Sequence, residues 1–261
     1  MIKITDLKKL KKDKYLIQVE ENDKTTPHIV TENTIIKYNL LRQKTMTKSD
    51  YQKIIKNNEY ELLYLKAINY ISYQMRTISE VKKHLKKDIK DEKIIMKLVT
   101  ELKQNNYVND KMYVEEYVNQ KMEFDLVGPK YIKDKLITKG IHFDLITENL
   151  RKYNDEVQFD KVFQIIKNET KYKQKKPYQK VYMSLKQKLI NKGFSLNVVE
   201  SSLISCKDDI KAMIDEKSLL QNEIQKLKGK YNLDVYEEKN KLIKKLMTKG
   251  YSYELIKNNL K

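Results

Sequence analysis

One pattern of seven positions occurs three times in this chain and constrains its fold more than any other feature. Ile132, Leu136, Gly140, Ile141, Leu145, Ile146 and Leu150 recur at the same spacing as Leu185, Leu189, Gly193, Phe194, Val198, Val199 and Leu203. They recur again as Leu242, Leu246, Gly250, Tyr251, Leu255, Ile256 and Leu260. A degenerate copy stands upstream as Val81, Leu85, Ile89, Lys90, Ile94, Ile95 and Val99. Self-similarity at about fifty residues is the mark of a stacked repeat, in which each unit supports its neighbours.

The physics of the pattern is local. Apolar residues four apart share one face of a helix. Lys139, Lys192 and Lys249 then sit in its last turn, where the helix dipole favours cations. Gly140, Gly193 and Gly250 follow at the position where a left-handed backbone ends a helix at no steric cost. Ser195 and Ser252, with Asp91 in the degenerate copy, are placed to cap the next helix, and His142 takes that place in the second copy. A further helix precedes each pair, over roughly 59–75, 111–123, 158–173 and 208–228. The expected fold is mainly α, with tandem three-helix bundles over 59–110, 111–153, 154–205 and 206–261 stacking into an elongated, curved array.

Residues 1–58 read differently. Tyr15, Leu16, Ile17 and Val19 are strand formers, Glu21-Asn22-Asp23-Lys24 is a turn, and His28-Ile29-Val30 is a returning strand. A small β-hairpin or meander is expected. Thr31 would cap a short helix carrying Ile35, Ile36, Leu40 and Leu41. Thr47, with Asp50 three residues on, would cap another.

Composition supports this division. Five glycines and three prolines in 261 residues are too few for a sandwich or barrel. No apolar run is long enough to span a membrane, and the N-terminus carries no signal-peptide pattern. The single Cys206 fits a reducing cytoplasm. Fifty-four Lys and Arg against 36 Asp and Glu give a net charge of +18. The largest excesses are +5, in 1–60 and again in 154–205. A diffuse basic surface biases the chain toward nucleic acid or an acidic protein, without reading sequence by itself. His28, His84 and His142 lack partners at metal-ligand spacing, and phosphate-binding loops and nucleophile elbows are missing. Neither an enzyme nor a metal or cofactor is expected.

Three blocks between Tyr70 and Leu150 bear on function. The first holds Arg76, Thr77, Ser79, Glu80, Val81 and Leu85. The second runs Asn106-Tyr107-Val108-Asn109-Asp110, then Tyr113, Tyr117 and Val118. The third holds Gly128, Pro129, Ile132, Leu136, Lys139, Gly140 and Ile141. In this order and spacing they resemble the RecX family, bacterial modulators of the RecA recombinase, and the remaining units extend the resemblance as in longer low-GC Gram-positive members. Asn106 stands for the family's Gly, Val108 and Asn109 for Leu and Asp, and Lys121 where Arg is frequent. The resemblance implies a regulator in DNA repair, recombination and the SOS response. It would bind the RecA filament and its single-stranded DNA as a monomer and usually lower RecA activity.

Each motif also has a structural account. Thr77 with Glu80 is a capping box, Asn109-Asp110 a helix cap, and Gly128-Pro129 a helix start. The candidate contacts to filament or DNA are Arg76, Lys82, Lys86, Lys121, Lys130 and Lys133. With Val81/Leu85 and Ile132/Leu136 facing the core, Lys82, Lys86, Lys130 and Lys133 fall on flanks or outer faces, and stacking would align them as a stripe. Two alternatives stand beside this reading: a nucleic-acid-binding protein acting without RecA, and a helical interaction scaffold.

Overall fold

The computed structural model describes residues 1–260, so Lys261, the last residue of the expected fourth unit, lies outside the described residues. Among the described residues fourteen helices account for 63%, with one small antiparallel sheet at the N-terminus. The chain divides into two compact units, Met1–Tyr113 and Val114 onward.

The first unit opens with a sheet of four strands, the expected meander with one short strand added at its edge. Its strands are β1 (Ile2–Lys9), β2 (Lys14–Glu21), β3 (Lys24–Thr31) and the two-residue β4 (Thr45–Met46), in the order β3-β2-β1-β4. Asn22 and Asp23 turn β2 into β3 with φ of 48° and 59°, the paired left-handed conformation that suits a twisted hairpin. Pro27 is tolerated because β3 is an edge strand. One face of the sheet buries Ile2, Ile4, Ile17, Val19 and Val30 against Leu40, Met46 and Ile54.

Thr31 caps α1 (Glu32–Tyr38) through the Thr34 N–H, as expected. The helix stops at Asn39, with φ of 50°, so Leu40 and Leu41 lie beyond it, and Ile36 points to solvent. Thr47 caps α2 (Lys48–Ser72) through the Asp50 N–H. This single helix runs through the expected boundary at 58/59. No Gly or Pro interrupts it, and it serves two cores. Tyr51 and Ile54 pack on the sheet. Tyr60, Leu63, Tyr64 and Ala67 pack on α3 (Ile78–Leu85) and α4 (Glu92–Gln104). Buried Asn58 sits between the two cores. Its Oδ1 accepts from the Thr31 N–H at 3.0 Å and its Nδ2 donates to the Ile29 carbonyl at 2.8 Å.

The second unit takes in most of α5 (Asp110–Phe124), then α6 (Pro129–Thr138), α7 (Phe143–Leu150), α8 (Asp155–Glu169), α9 (Tyr178–Asn191) and α10 (Leu196–Ser205). It ends with α11 (Lys207–Ala212), α12 (Glu216–Lys228), α13 (Tyr236–Thr248) and α14 (Tyr253–Asn259). The helix expected over 208–228 is thus two. Asp215 caps α12 through the Ser218 N–H. Ile210 of α11 and Cys206 join the core of α8–α10, while Leu220 and Leu227 of α12 pack with α13 and α14.

The three glycine copies end their first helices in one way. Gly140, Gly193 and Gly250 have φ of 76°, 87° and 102°. The N–H after each bonds back to Leu136, Leu189 and Leu246 at 3.2, 3.3 and 3.3 Å, closing a Schellman turn. Ile141, Phe194 and Tyr251 are buried behind those turns. The degenerate copy has Ile89 at the glycine position, and no left-handed residue occurs there. Ser252 and Asp91 cap the next helix as expected. Ser195 and His142 occupy the cap position without a side-chain cap bond. The Ser195 N–H donates instead to Gln158 Oε1 at 3.0 Å, because α8 lies against that turn.

Candidate partner-binding surface

The region around Arg76 is built from helix-end chemistry. Thr77 Oγ1 accepts from the Glu80 N–H at 3.1 Å, and Glu80 Oε2 accepts from the Thr77 N–H at 2.9 Å. This is the reciprocal capping box. Asn109 caps α5 by accepting from the Lys111 and Met112 N–H groups at 3.0 and 3.2 Å. Asp110 has a separate task. Its Oδ1 accepts from the Ile78 N–H at 2.9 Å and ties the start of α5 to the start of α3. Burial raises the Asp110 pKa, opposed by that hydrogen bond.

Arg76 itself is half-buried. Its guanidinium lies 4.4 Å from the centre of the Tyr70 ring. The same ring stacks on His84 at 4.0 Å with an interplanar angle of 1°. Two groups at these distances cannot share one face, so Tyr70 lies between guanidinium and imidazole. The His84 pKa is lowered, first by burial, then by Lys66 and Lys87, with Arg76 adding and Asp88 opposing. The unfolded chain therefore takes up this proton at a higher pH than the folded one. Stability due to neutral His84 is complete above the ordinary value of 6.5 and falls as the pH drops through it toward the lower folded value. The thermal midpoint is expected to fall more steeply between about pH 7 and pH 5 in the parent chain than in His84→Phe, which keeps a ring on Tyr70. Parallel pH profiles would show that His84 does not titrate in this way.

The other candidate residues divide by what they already touch. Lys86 pairs with Glu92 at 2.6 Å. Lys121 is the most committed: it pairs with Asp125, which raises its pKa, and lies 5.7 Å from the Tyr117 ring. Lys133 lies 4.4 Å from the centre of the half-exposed Phe143 ring. Lys82, partly exposed, and Lys130, exposed, make no ion pair among the described residues. Val81, Leu85, Ile132 and Leu136 are fully buried, so these lysines do lie off the core-facing side. Lys82 and Lys86 belong to the first unit, Lys130 and Lys133 to the second. Among the described residues no three His, Cys, Asp or Glu side chains gather as metal ligands, and no helix is long and apolar enough to cross a membrane.

A protein named regulatory protein RecX from Lactococcus lactis subsp. cremoris (strain SK11) is 33% identical over all of this chain and 98% of its own length. The chain belongs to the RecX family. A second regulatory protein RecX, from Streptococcus agalactiae serotype III (strain NEM316), is 32% identical over all of this chain and 99% of its own. The family model described as RecX, third three-helix domain, matches residues 215–258, which hold α12–α14. A crystal structure of regulatory protein RecX superposes with a TM-score of 0.60 and 26% identity over 77% of this chain and 98% of that one. RecX from Lactobacillus salivarius gives 0.52 and 30% over 58% and 98%. The RecX relatives bear the name of regulators.

Sequence reasoning missed how the RecX-type Gly128-Pro129 start is held. The Gly128 N–H donates to the Lys192 carbonyl at 2.8 Å, and the Lys130 N–H to the Gly193 carbonyl at 3.1 Å. The three carbonyls before Gly128 are also taken. Lys161 Nζ donates to Asp125 at 2.8 Å, Lys192 Nζ to Leu126 at 3.2 Å, and the Tyr153 hydroxyl to Val127. The family's Gly-Pro is therefore the point where α6 is strapped to the α9–α10 turn. The visible signal was the glycine itself, in a chain with five.

Proposed function

We propose that the chain is a non-catalytic, cytoplasmic regulator of RecA in recombination and DNA repair. It binds the RecA–DNA filament as a monomer and lowers ATP turnover and strand exchange. The observation that carries this reading is the full-length likeness to proteins named regulatory protein RecX. The geometry supports it in a second way. Helices of one repeat type, α3 and α6, carry partly exposed Lys82 and Lys133, with exposed Lys86 at the end of α3 in one unit and exposed Lys130 on α6 in the other. Cations on successive repeats suit a polyanionic track better than a compact acidic pocket. Arg76, Lys86, Lys121 and Lys133 already have partners within the chain, so Lys82 and Lys130 are the foremost contacts among the six.

Sedimentation with preformed RecA filaments on single-stranded DNA tests this reading. At physiological salt the chain should pellet with the filament and much less with bare DNA or RecA alone. Equal retention on bare DNA would favour the alternative, nucleic-acid binding without RecA.

A further inference from the structure

The longest stretch free of Asp and Glu in the chain runs from Thr170 to Val199 and holds eight lysines. Five of them, Lys171, Lys173, Lys175, Lys176 and Lys180, fall within ten residues, and all five are exposed. None makes an ion pair among the described residues. Two of the acidic groups nearby are otherwise engaged: Glu169 pairs with Lys188, and Glu216 accepts from the Tyr178 N–H at 3.1 Å.

The segment between α8 and α9 that carries four of these lysines, with Lys180 in the first turn of α9, is pinned. The Gln174 N–H donates to the Met213 carbonyl at 2.8 Å, and its Nε2 donates to the carbonyls of Glu169 and Tyr172 at 3.0 and 2.8 Å. Pro177 is buried. These pins hold the backbone in place beneath the exposed lysines, with Lys171 Nζ 5.7 Å from the Tyr172 ring, so binding an anion costs little ordering of the chain. Tyr172 stands between Lys171 and Lys173 and is 72% exposed. Beside it opens a groove of about 690 Å³ floored by Phe163, Ile166, Ala212 and Met213, with Lys167 and Lys171 also lining it and Asp209 as its single acid.

We infer that this segment is a binding site for single-stranded nucleic acid, open to bare DNA but holding it more weakly than the chain holds the filament. The lysines take successive phosphates. Tyr172 offers an aromatic face to an unpaired base, which a duplex keeps stacked on its own neighbours. The groove provides an apolar seat for a second base beside two cations. None of these residues is among the six discussed above. The assay needs no RecA, so a failure here leaves untouched the preference for filament over bare DNA that tests the proposed function.

The test is fluorescence anisotropy of labelled oligothymidylate with the full chain and no RecA. Binding should weaken on the order of fifty-fold between about 50 and 200 mM salt if about four phosphates are neutralised. Lys173→Glu/Lys175→Glu/Lys176→Glu should lose at least about tenfold in affinity and most of the salt slope. Lys173→Gln/Lys175→Gln/Lys176→Gln should lose less, in the same direction. Lys8→Glu/Lys11→Glu/Lys24→Glu, an equal charge change on the exposed side of the first unit, should bind as the parent does. Tyr172→Ala should cost about tenfold on oligothymidylate and leave duplex binding unchanged. The site is overturned if the 173/175/176 variants bind like the parent, or if the control triple weakens binding equally. Duplex, heparin or anionic vesicles binding as tightly as oligothymidylate, with no effect of Tyr172→Ala, would reduce it to general attraction for polyanions.

Discussion

Replacing Gly193 with alanine is expected to destabilise the chain by about 3 kcal/mol or more, the largest loss from any single methyl group added to it. Two costs add at this position. The backbone has φ of 87°, and a left-handed conformation costs a side-chain-bearing residue about 1–2 kcal/mol. The new Cβ would also lie 2.3 Å from the Tyr131 backbone nitrogen and 2.8 Å from its Cβ. Tyr131 cannot step aside, because the neighbouring Lys130 N–H is bonded to the Gly193 carbonyl. Relief therefore requires α6 to part from the α9–α10 turn. Gly128→Ala meets the same crossing from the other side, with its Cβ 2.2 Å from the Gly193 carbonyl carbon. The comparison that isolates the clash is Gly250→Ala. Its φ is 102°, but the nearest atom is Lys180 Cγ at 2.9 Å, on a flexible side chain. It should lose only about 1–2 kcal/mol. Gly229→Ala has open space around it and no positive φ, and should be neutral within about 0.5 kcal/mol. Urea denaturation followed by circular dichroism gives the ranking. Equal losses for Gly193→Ala and Gly250→Ala would mean the crossing is loose.

Reversing Lys82, Lys86, Lys130 and Lys133 to Glu should abolish the effect on RecA while leaving the helical signal intact. Each reversal changes the charge by two, so the formal net charge falls from +18 to +10. Within the chain the losses are small. The Lys86–Glu92 pair has side chains 52% and 62% exposed, and pairs of that kind contribute about 0–1 kcal/mol. Lys133 over Phe143 adds a further contact of about 0.5–1 kcal/mol. Acidic residues in the last turn of α3 oppose its dipole, again by less than about 1 kcal/mol. Against a polyanion the same four changes replace attraction with repulsion, and binding should fall by orders of magnitude at low salt. A quadruple variant that acts on RecA as the parent does would show these lysines to be ordinary solvated surface. Two single variants refine the result. Lys130→Glu should be more damaging than Lys86→Glu, because Lys86 already spends its charge on Glu92.

What the sequence made legible was local. Thr31, Thr47, Thr77 and Asp91 cap helices because a cap is a relation among residues three or four apart. Gly140, Gly193 and Gly250 end helices for the same kind of reason, and Asn106 takes φ of 59° as a stand-in for glycine. What stayed hidden was non-local. Strand β4 is two residues long and exists only because Ile2 pairs with Met46. Helix α2 passes its expected boundary because two separate cores use its two halves. Of the pair Asn109-Asp110, Asn109 caps its own helix, and the bond from the Ile78 N–H to Asp110 is a tie to α3 that no local pattern shows. Arg76 reads as a contact from its place in a motif, and its packing on Tyr70 depends on the fold. Charge averaged over 154–205 marks that segment as basic, but it does not resolve the acid-free run of thirty residues that gathers lysines between α8 and α9.

The most direct test of the central claim is the rate of ATP hydrolysis by RecA on single-stranded DNA as this chain is titrated in. The rate should fall with added chain at concentrations below those of RecA, and the quadruple Glu variant should leave it at the uninhibited level. A rate unchanged by the parent chain, under conditions where the chain sediments with the filament, would contradict the account.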